Sequence, residues 1–431
     1  MKIIKAILVF ICTLGLHIAS AREYPIDLAK AQQYFNEIKA FCDSDQGALW
    51  GENLWAPILI IDKDTRFVVA SHPDNEGLLK QTGDVYTGYF PEDKIIANST
   101  TVFGNEHWIM VMHPLPEDRY ARNQLCVHEL FHRLQGKLDL GFGNYSNDHM
   151  DNMDARILIK LEWLALEQAV LAEPSVRKEI LTDALVFRNY RRTLYPGKDT
   201  MENRFEIHEG LAEYTGHAIC SRNNEEFKQN ILQTKEKNWN VESYVRSFAY
   251  YSGPLYGYLL DQGTPGWRAG IHPGSDLGEL VRETFDLTLP ADIEKSCEQA
   301  RHRYDYEDIL VVEEERGKKK QELLDAYRYR FTEDTVLVLY TPKPSISFDP
   351  RTLVPFDTLG TVYPTIRIVA DWGILQVDEG GCLYDWKKAV VSGRGIIRVN
   401  ETLSGNGWVL ELTGSWNLTR KGRTYTLSGN D

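Results

Sequence analysis

The chain has 431 residues, 43% hydrophobic and 26% charged, with a formal net charge of −14. That is enough apolar material for a sizeable core and for two or three domains. The acidic balance and the lack of a basic stripe argue against nucleic acid as a partner, and the run Lys318-Lys319-Lys320 sits among glutamates as a solvated helix face does.

In chain order, the first residues read as a secretory signal peptide. Lys2 and Lys5 form a basic start, Ala6 to Leu16 an apolar stretch, and Ala19-Ser20-Ala21 a small-residue cleavage site with the cut expected after Ala21. No later segment is apolar for long enough to span a bilayer, so the mature chain is expected to be secreted, periplasmic or extracellular. The remaining cysteines, Cys42, Cys126, Cys220, Cys297 and Cys382, are widely spaced with no C-x-x-C pair. They fit neither a zinc ribbon nor a dense disulfide framework, and their odd number leaves a thiol unpaired. The sequons at Asn98, Asn144, Asn400 and Asn417 matter only in a host that glycosylates exported asparagine.

Residues 22–113 alternate a helix, about Leu28 to Cys42, with short strands such as Ala56–Ile61 and Arg66–Ala70. This N-terminal α/β part is expected to end in Trp108–Met112, a short buried or edge strand. Residues 114–330 read as mostly helical, with helices at 118–135, 154–172, 176–193, 203–219 and 224–237 and a set between 276 and 330. From about Thr335 short β-rich runs take over: Val336–Tyr340, Ile366–Ala370, Gly373–Val377, Gly395–Val399, Trp408–Leu412 and Thr424–Leu427. Turn clusters such as Glu379-Gly380-Gly381, Ser404-Gly405-Asn406-Gly407 and Lys421-Gly422 separate several of them, which predicts a small antiparallel sandwich or meander over 331–431. The expected fold class is α+β: a small N-terminal sheet, a mostly helical middle, and a C-terminal antiparallel β domain suited to cell-surface or glycan contact.

The chemistry concentrates in His128-Glu129-Leu130-Phe131-His132. Histidines at i and i+4 stand one helical turn apart, where both imidazoles can reach one metal ion. The glutamate after the first histidine lies beside that ion, placed to take a proton from water. Pro116-Glu117-Asp118 can start the helix and Gly136 can end it. Val127, Leu130, Phe131 and Leu134 form one apolar face, while Leu125, His128 and His132 lie on another side. Buried histidines need partners, and a metal provides one. Cys126, two residues before His128, points away from the metal and is a poor ligand candidate.

A catalytic zinc usually takes three protein ligands and leaves the fourth position to water. The extended pattern with a third histidine is absent, because Gln135 stands where glycine is required and Leu138 where histidine is. Three places offer the missing ligand: Glu209, within Glu206-Ile207-His208-Glu209-Gly210-Leu211-Ala212-Glu213-Tyr214; Glu162 or Glu167; and Asp151 or Asp154. Glu209 is favoured, since Gly210 and Ala212 let another helix approach and Glu213 at i+4 can orient a ligand histidine. Glu162 and Glu167 have only Leu166 and Leu171 at i+4. They read as acids on the wet edge of an amphipathic helix, or as supports near the site.

H-E-L-F-H followed by E-G-L-A-E-Y resembles the gluzincins, the thermolysin-like zinc peptidases. The likeness is nearest to the aminopeptidase-N branch, where H-E-x-x-H is followed by N-E-G-F-A. It covers roughly residues 105–260, with His208 in place of asparagine and Leu211 in place of phenylalanine. The resemblance implies a thermolysin-like catalytic part and one Zn2+ per chain on His128, His132 and Glu209. It also implies Glu129 as the base and Glu213 as the carboxylate behind a ligand. The branch carries a Tyr-x-x-Gly whose tyrosine stabilises the tetrahedral intermediate; Tyr250-Tyr251-Ser252-Gly253 is similar and points to Tyr250, with Tyr251 as the runner-up. Exported bacterial proteins with the same pair of motifs are similar too. Two departures stand out. Glu209 lies 77 positions after His132, far beyond the family's usual gap, so two helices (154–193) must be inserted between the halves. The Gly-x-Met-Glu-Asn motif that anchors a substrate's amino terminus is missing, since Gly104-Asn105-Glu106 does not match it.

The expected function is a secreted zinc metallopeptidase acting on a peptide or protein, endo- or exo-action left open. A zinc-bearing non-catalytic scaffold and a zinc hydrolase of another amide or ester are the alternatives. The intact Glu129 favours an enzyme, because a structural zinc has no need of a base there.

Overall fold

The computed structural model describes residues 24–141, 143, 146–349 and 352–429. The expected signal peptide and the sequon at Asn144 lie outside them. The chain opens with helix α1 (Leu28–Asp45), capped by the Asp27 carboxylate, which accepts from the backbone N–H groups of Ala29 and Lys30. Six strands follow: β1 (Ile58–Asp62), β2 (Phe67–Ala70), β3 (Lys80–Thr82), β4 (Val85–Tyr89), β5 (Ser99–Phe103) and β6 (Glu106–His113). They form one sheet in the order β3-β4-β2-β1-β6-β5. β1 and β6 run parallel and the other pairs antiparallel. Along β1 the side chains alternate, Ile58 and Ile60 entering the main core and Leu59 and Ile61 a smaller cluster on the opposite face.

Of the two readings of Trp108–Met112, the buried strand is what forms, and the edge position is corrected. These residues lie within β6, between β1 and β5, so the sheet's outer strand on that side is β5. The cause is local: Gly104 and Asn105 both take positive φ, a two-residue turn that folds Phe103 back against Glu106 as a hairpin.

The middle of the chain is helical: α2 (Arg119–Gln135), α3 (Met153–Leu171), α4 (Pro174–Leu194) and α5 (Asp199–Phe205). A π turn (Glu206–Gly210) joins α5 to α6 (Leu211–Cys220), followed by α7 (Asn224–Gln233), α8 (Lys235–Trp239), α9 (Ala249–Gly263), α10 (Leu277–Thr284), α11 (Ile293–Ala300) and α12 (Tyr306–Arg328). The helix expected at 203–219 thus begins earlier and contains a π turn, and the one expected at 224–237 breaks at Thr234. α9 contains Pro254, which reads as a breaker in sequence. One apolar core joins Ile26, the inner face of the sheet and the helices as far as Leu310. Residues 22–113 and 114–330 therefore share a core.

Thirteen strands complete the fold: β7 (Val336–Tyr340), β8 (Ser345–Phe348), β9 (Val354–Phe356), β10 (Gly360–Tyr363), β11 (Ile366–Ala370), β12 (Gly373–Val377), β13 (Cys382–Tyr384), β14 (Lys388–Ser392), β15 (Ile397–Val399), β16 (Thr402–Gly405), β17 (Trp408–Leu412), β18 (Trp416–Lys421) and β19 (Thr424–Gly429). They make a seven-stranded sheet, β18-β19-β7-β14-β13-β10-β9, and a six-stranded one, β15-β16-β17-β12-β11-β8. All pairs are antiparallel except β19 with β7. A separate core that includes Leu337, Trp372, Leu375, Val391 and Trp408 draws on strands of both sheets. Tyr327 and Phe331 tie the end of the helical part to Val336, Phe356 and Val362. The architecture is α+β with a C-terminal antiparallel β region. Among the described residues no helix is long and apolar enough to cross a membrane, and the five cysteines are free and buried.

Candidate metal centre

α2 starts where the Asp118 carboxylate accepts from the Ala121 N–H at 2.8 Å. Its expected apolar face is fully engaged: Val127, Leu130, Phe131 and Leu134 are all buried. α6 packs along α2, and Gly216 permits the close approach, since a Cβ there would meet the Gln124 carbonyl oxygen at 2.8 Å. This fixes the direction in which His128, Glu129 and His132 point. Gly136 ends α2 in ordinary right-handed backbone, and the left-handed residue comes at Asp139.

The π turn before α6 supplies Glu209. α9 crosses that turn at two glycines: a Cβ on Gly253 would lie 2.3 Å from the Gly210 Cα. The approach foreseen from the small residues beside Glu209 is therefore made by the helix that carries Tyr250. Among the described residues, one group of three His, Cys, Asp or Glu side chains brings its ligand atoms within 4.8 Å of one another: His128, His132 and Glu209. The His128 and His132 Nε2 atoms are 3.0 Å apart, and they lie 3.4 and 3.5 Å from the Glu209 Oε2.

These distances fit zinc. A tetrahedral ion about 2.0–2.1 Å from each donor needs donors about 3.3–3.4 Å apart. The donor chemistry fits as well. His128 Nδ1 is 2.9 Å from Glu213 Oε2, and His132 Nδ1 is 2.8 Å from Gln135 Oε1. A histidine whose Nδ1–H is taken by an acceptor presents the Nε2 lone pair. Two such nitrogens and a carboxylate oxygen then face one another, an arrangement satisfied by a metal ion or by a proton on one imidazole. Burial alone would lower the His128 pKa, but the Glu209 and Glu213 carboxylates outweigh it and push it up to about 10. Burial likewise opposes ionisation of Glu209, yet the hydrogen bonds of His128, His132 and His208 hold its carboxyl well below the usual range. The point where the three donors meet attracts positive charge.

Glu129 stands beside this triangle, buried, and its Oε2 has no hydrogen-bond partner among the described residues. Burial pushes its carboxyl up against the pull of both histidines. The Tyr250 hydroxyl donates to Glu209 Oε2 at 2.7 Å, and its ring stacks on His128 with centroids 5.6 Å apart. Burial and then Glu209 raise this phenol well above its ordinary value, so it stays a donor. Tyr251, one residue on, turns away and donates to Glu167. Behind Glu213 lies His217, its Nε2 3.7 Å from Glu213 Oε1 and its Nδ1 2.5 Å from the Tyr120 hydroxyl. Burial pushes His217 down to about 4, so the ring is neutral at neutral pH, and its Nε2 has no hydrogen-bond partner among the described residues.

The other candidate ligands lie elsewhere. Glu162 is held by Arg188, Arg191 and Tyr256, and Glu167 by Tyr251 and Lys235. Asp151 accepts from Ser243 and the Tyr244 N–H, and Asp154 is exposed. Glu162 and Glu167 are buried, so the reading of them as wet-edge acids is corrected, and the cause is the cations and phenols packed over them. Cys126 is buried in the core, where burial pushes its thiol up to about 12.

Sequence reasoning gave no role to Gln135, His217 or Tyr120, and treated His208 only as a replacement. The His208 ring stacks on His132 with centroids 4.5 Å apart, and its Nδ1 is 3.0 Å from Glu209 Oε1. Helical spacing pointed to two of these residues, since Gln135 follows His132 by three positions and His217 follows Glu213 by four. No protein-family model, no curated protein and no solved structure matches the chain.

Proposed function

We propose that this chain is a secreted, zinc-dependent metallopeptidase of the gluzincin type, with one zinc on His128, His132 and Glu209. What supports the reading is the donor triangle of tetrahedral dimensions beside a buried carboxylate oxygen without a hydrogen-bond partner among the described residues. The order of elements supports it too: a mixed sheet with an antiparallel outer strand, then the histidine helix, then the glutamate helix crossed by a tyrosine helix.

A zinc ion bound there supplies a Lewis acid that brings the pKa of a water toward neutrality. Glu129 accepts a proton from the attacking water and delivers it to the leaving amine. Tyr250, on releasing Glu209 Oε2, donates its hydroxyl to the oxygen that gains charge. Glu213 and Gln135 keep the ligand imidazoles in the tautomer that faces Glu209. β5 pairs only with β6 among the described strands, so its outer edge offers backbone N–H and C=O groups to an extended peptide.

The test compares wild type with Glu129→Gln on a broad peptide library. Wild type should cleave; the variant should fold, bind zinc normally and lose at least ~10²-fold in rate. A wild type that cleaves nothing, with a chelator changing only stability, would turn the reading toward a non-catalytic zinc scaffold. Cleavage of simple esters or non-peptide amides in its place would point to a different zinc hydrolase.

A further inference from the structure

We propose that Gln135 is a positioning residue that joins the two halves of the metal centre. Its amide sets the tautomer of His132 from the backbone of the Glu209 turn. The inference rests on the zinc reading above and deepens it.

Gln135 is the last residue of α2 and is 1% exposed. Its Nε2 lies 3.0 Å from the carbonyl oxygen of Ile207 and 2.8 Å from that of His208, and its Oε1 lies 2.8 Å from His132 Nδ1. The two ends of a glutamine amide are told apart by their partners. Backbone carbonyls only accept, so the end facing Ile207 and His208 must be the NH2. The end facing His132 is then the oxygen, which only accepts. His132 must therefore donate from Nδ1, and its Nε2 carries the lone pair toward Glu209. The tautomer of a residue on α2 is thus dictated by two carbonyls that lie 72 and 73 positions away from Gln135.

The π turn explains why those carbonyls are there. A π turn carries one residue more than an α turn and recurs at functional sites. Here it spans Glu206–Gly210, and Ile207 and His208 direct their carbonyls at Gln135 while Glu209 directs its carboxylate at both histidines. One side chain therefore binds the backbone on the N-terminal side of Glu209 and the far side of the His132 ring. His128 is held separately, by Glu213 on α6. The long insertion between His132 and Glu209 leaves the relative placement of α2 and the π turn to tertiary contacts, and Gln135 makes that contact at the metal ligands themselves.

The alternative is that Gln135 only satisfies two buried carbonyls and so contributes to stability alone. The experiment uses the full-length mature protein with Gln135→Met, which keeps length and packing but removes both hydrogen-bonding ends. Three readouts are taken: zinc affinity by competition with a chromophoric chelator, the visible absorption of the Co2+-substituted protein, and the melting temperature of the metal-free protein. The expected result is zinc affinity weakened on the order of 10- to 100-fold, with a shifted Co2+ band, at temperatures where the metal-free variant is fully folded. Wild-type affinity and an unchanged band, with only the melting temperature lowered, overturn the inference and leave the proposed function standing. If Gln135→Met does not fold, Gln135→Leu is read the same way, because it too removes both hydrogen-bonding ends. A wild-type protein that binds no zinc removes the metal reading itself, a separate failure.

Discussion

Two buried polar clusters share the π turn, and they differ in one respect. Glu206 faces away from the metal centre into a cluster with Arg188, Arg191, Arg192, Glu162, Glu202 and Asp276. Three residues later Glu209 faces the histidines. In the arginine cluster every carboxylate oxygen has a donor: Glu162 from Arg188, Arg191 and Tyr256, Glu202 from His149, Arg191 and Arg192, Glu206 from Arg188 and Ser252, and Asp276 from Arg188 and Arg192. Arg191, Glu162, Glu202 and Glu206 are all 0% exposed. In the proposed metal centre two imidazole nitrogens and Glu209 Oε2 converge, Glu129 Oε2 has no partner among the described residues, and His132 and Glu209 are half-buried. Burial of charge does not mark a functional site, since both clusters are buried. The carboxylates differ: in the arginine cluster each oxygen has a protein donor, although Arg188 Nε and His149 Nδ1 have no partner among the described residues, whereas beside the proposed metal ligands Glu129 Oε2 has none.

The comparison can be broken by opening the closed cluster. Arg191→Ala leaves Glu162 and Glu202 short of a buried cation, and loss of one partner of a buried pair costs about 3–5 kcal/mol. Denaturant unfolding should show a loss of that size. A variant as stable as wild type would mean the cluster is not structural.

Next in size are changes at the metal ligands. Glu209→Ala removes a donor and should weaken zinc more than Glu213→Ala, which removes only the acceptor for His128 and should weaken it on the order of 10- to 100-fold. Neither should approach the stability loss of Arg191→Ala in the metal-free state. Glu162→Ala or Glu167→Ala releasing zinc while Glu209→Ala does not would overturn the choice of third ligand.

The smallest effect sharpens the contrast through pH. Burial opposes ionisation of Glu202, but Arg191 and the hydrogen bond from His149 outweigh it and hold its carboxyl well below its ordinary value of 4.5. A depressed carboxyl contributes stability that is full above the unfolded pKa and is lost as pH falls toward the folded one. The melting temperature of the metal-free protein should therefore drop below about pH 4.5, and less steeply in Arg191→Ala, where the main cause of the depression is gone. Equal slopes in the two proteins would show that Glu202 is not held by Arg191.

What the sequence made legible was local. Helical spacing placed His128 and His132 on one side of α2 and Glu213 one turn beyond Glu209, and in the β region Val336–Tyr340, Ile366–Ala370, Gly373–Val377 and Trp408–Leu412 begin and end where their alternation predicts. The misses are tertiary or turn-driven. Nothing in the order of α4 says that Arg188, Arg191 and Arg192 meet acids from α3, α5, the π turn and the cap of α10. The Gly104-Asn105 hairpin adds β5 outside the strand that read as buried or edge, and so decides for the buried position. α9 has no counterpart among the expected helices, and the choice of Tyr250 over Tyr251 rests there on the resemblance alone: adjacent residues on a helix face different ways, and the Gly210–Gly253 crossing brings Tyr250 to Glu209.

The claim that the metal centre is incomplete without an ion, and that the arginine cluster is not, reduces to metal content. Elemental analysis of purified wild type, His128→Ala, His132→Ala and Arg191→Ala, the last kept cold enough to stay folded, tests both halves at once. The account predicts about one zinc per chain in wild type and in Arg191→Ala, and none in either histidine variant. Zinc retained in full by both histidine variants, or no bound metal in the wild type, would contradict it.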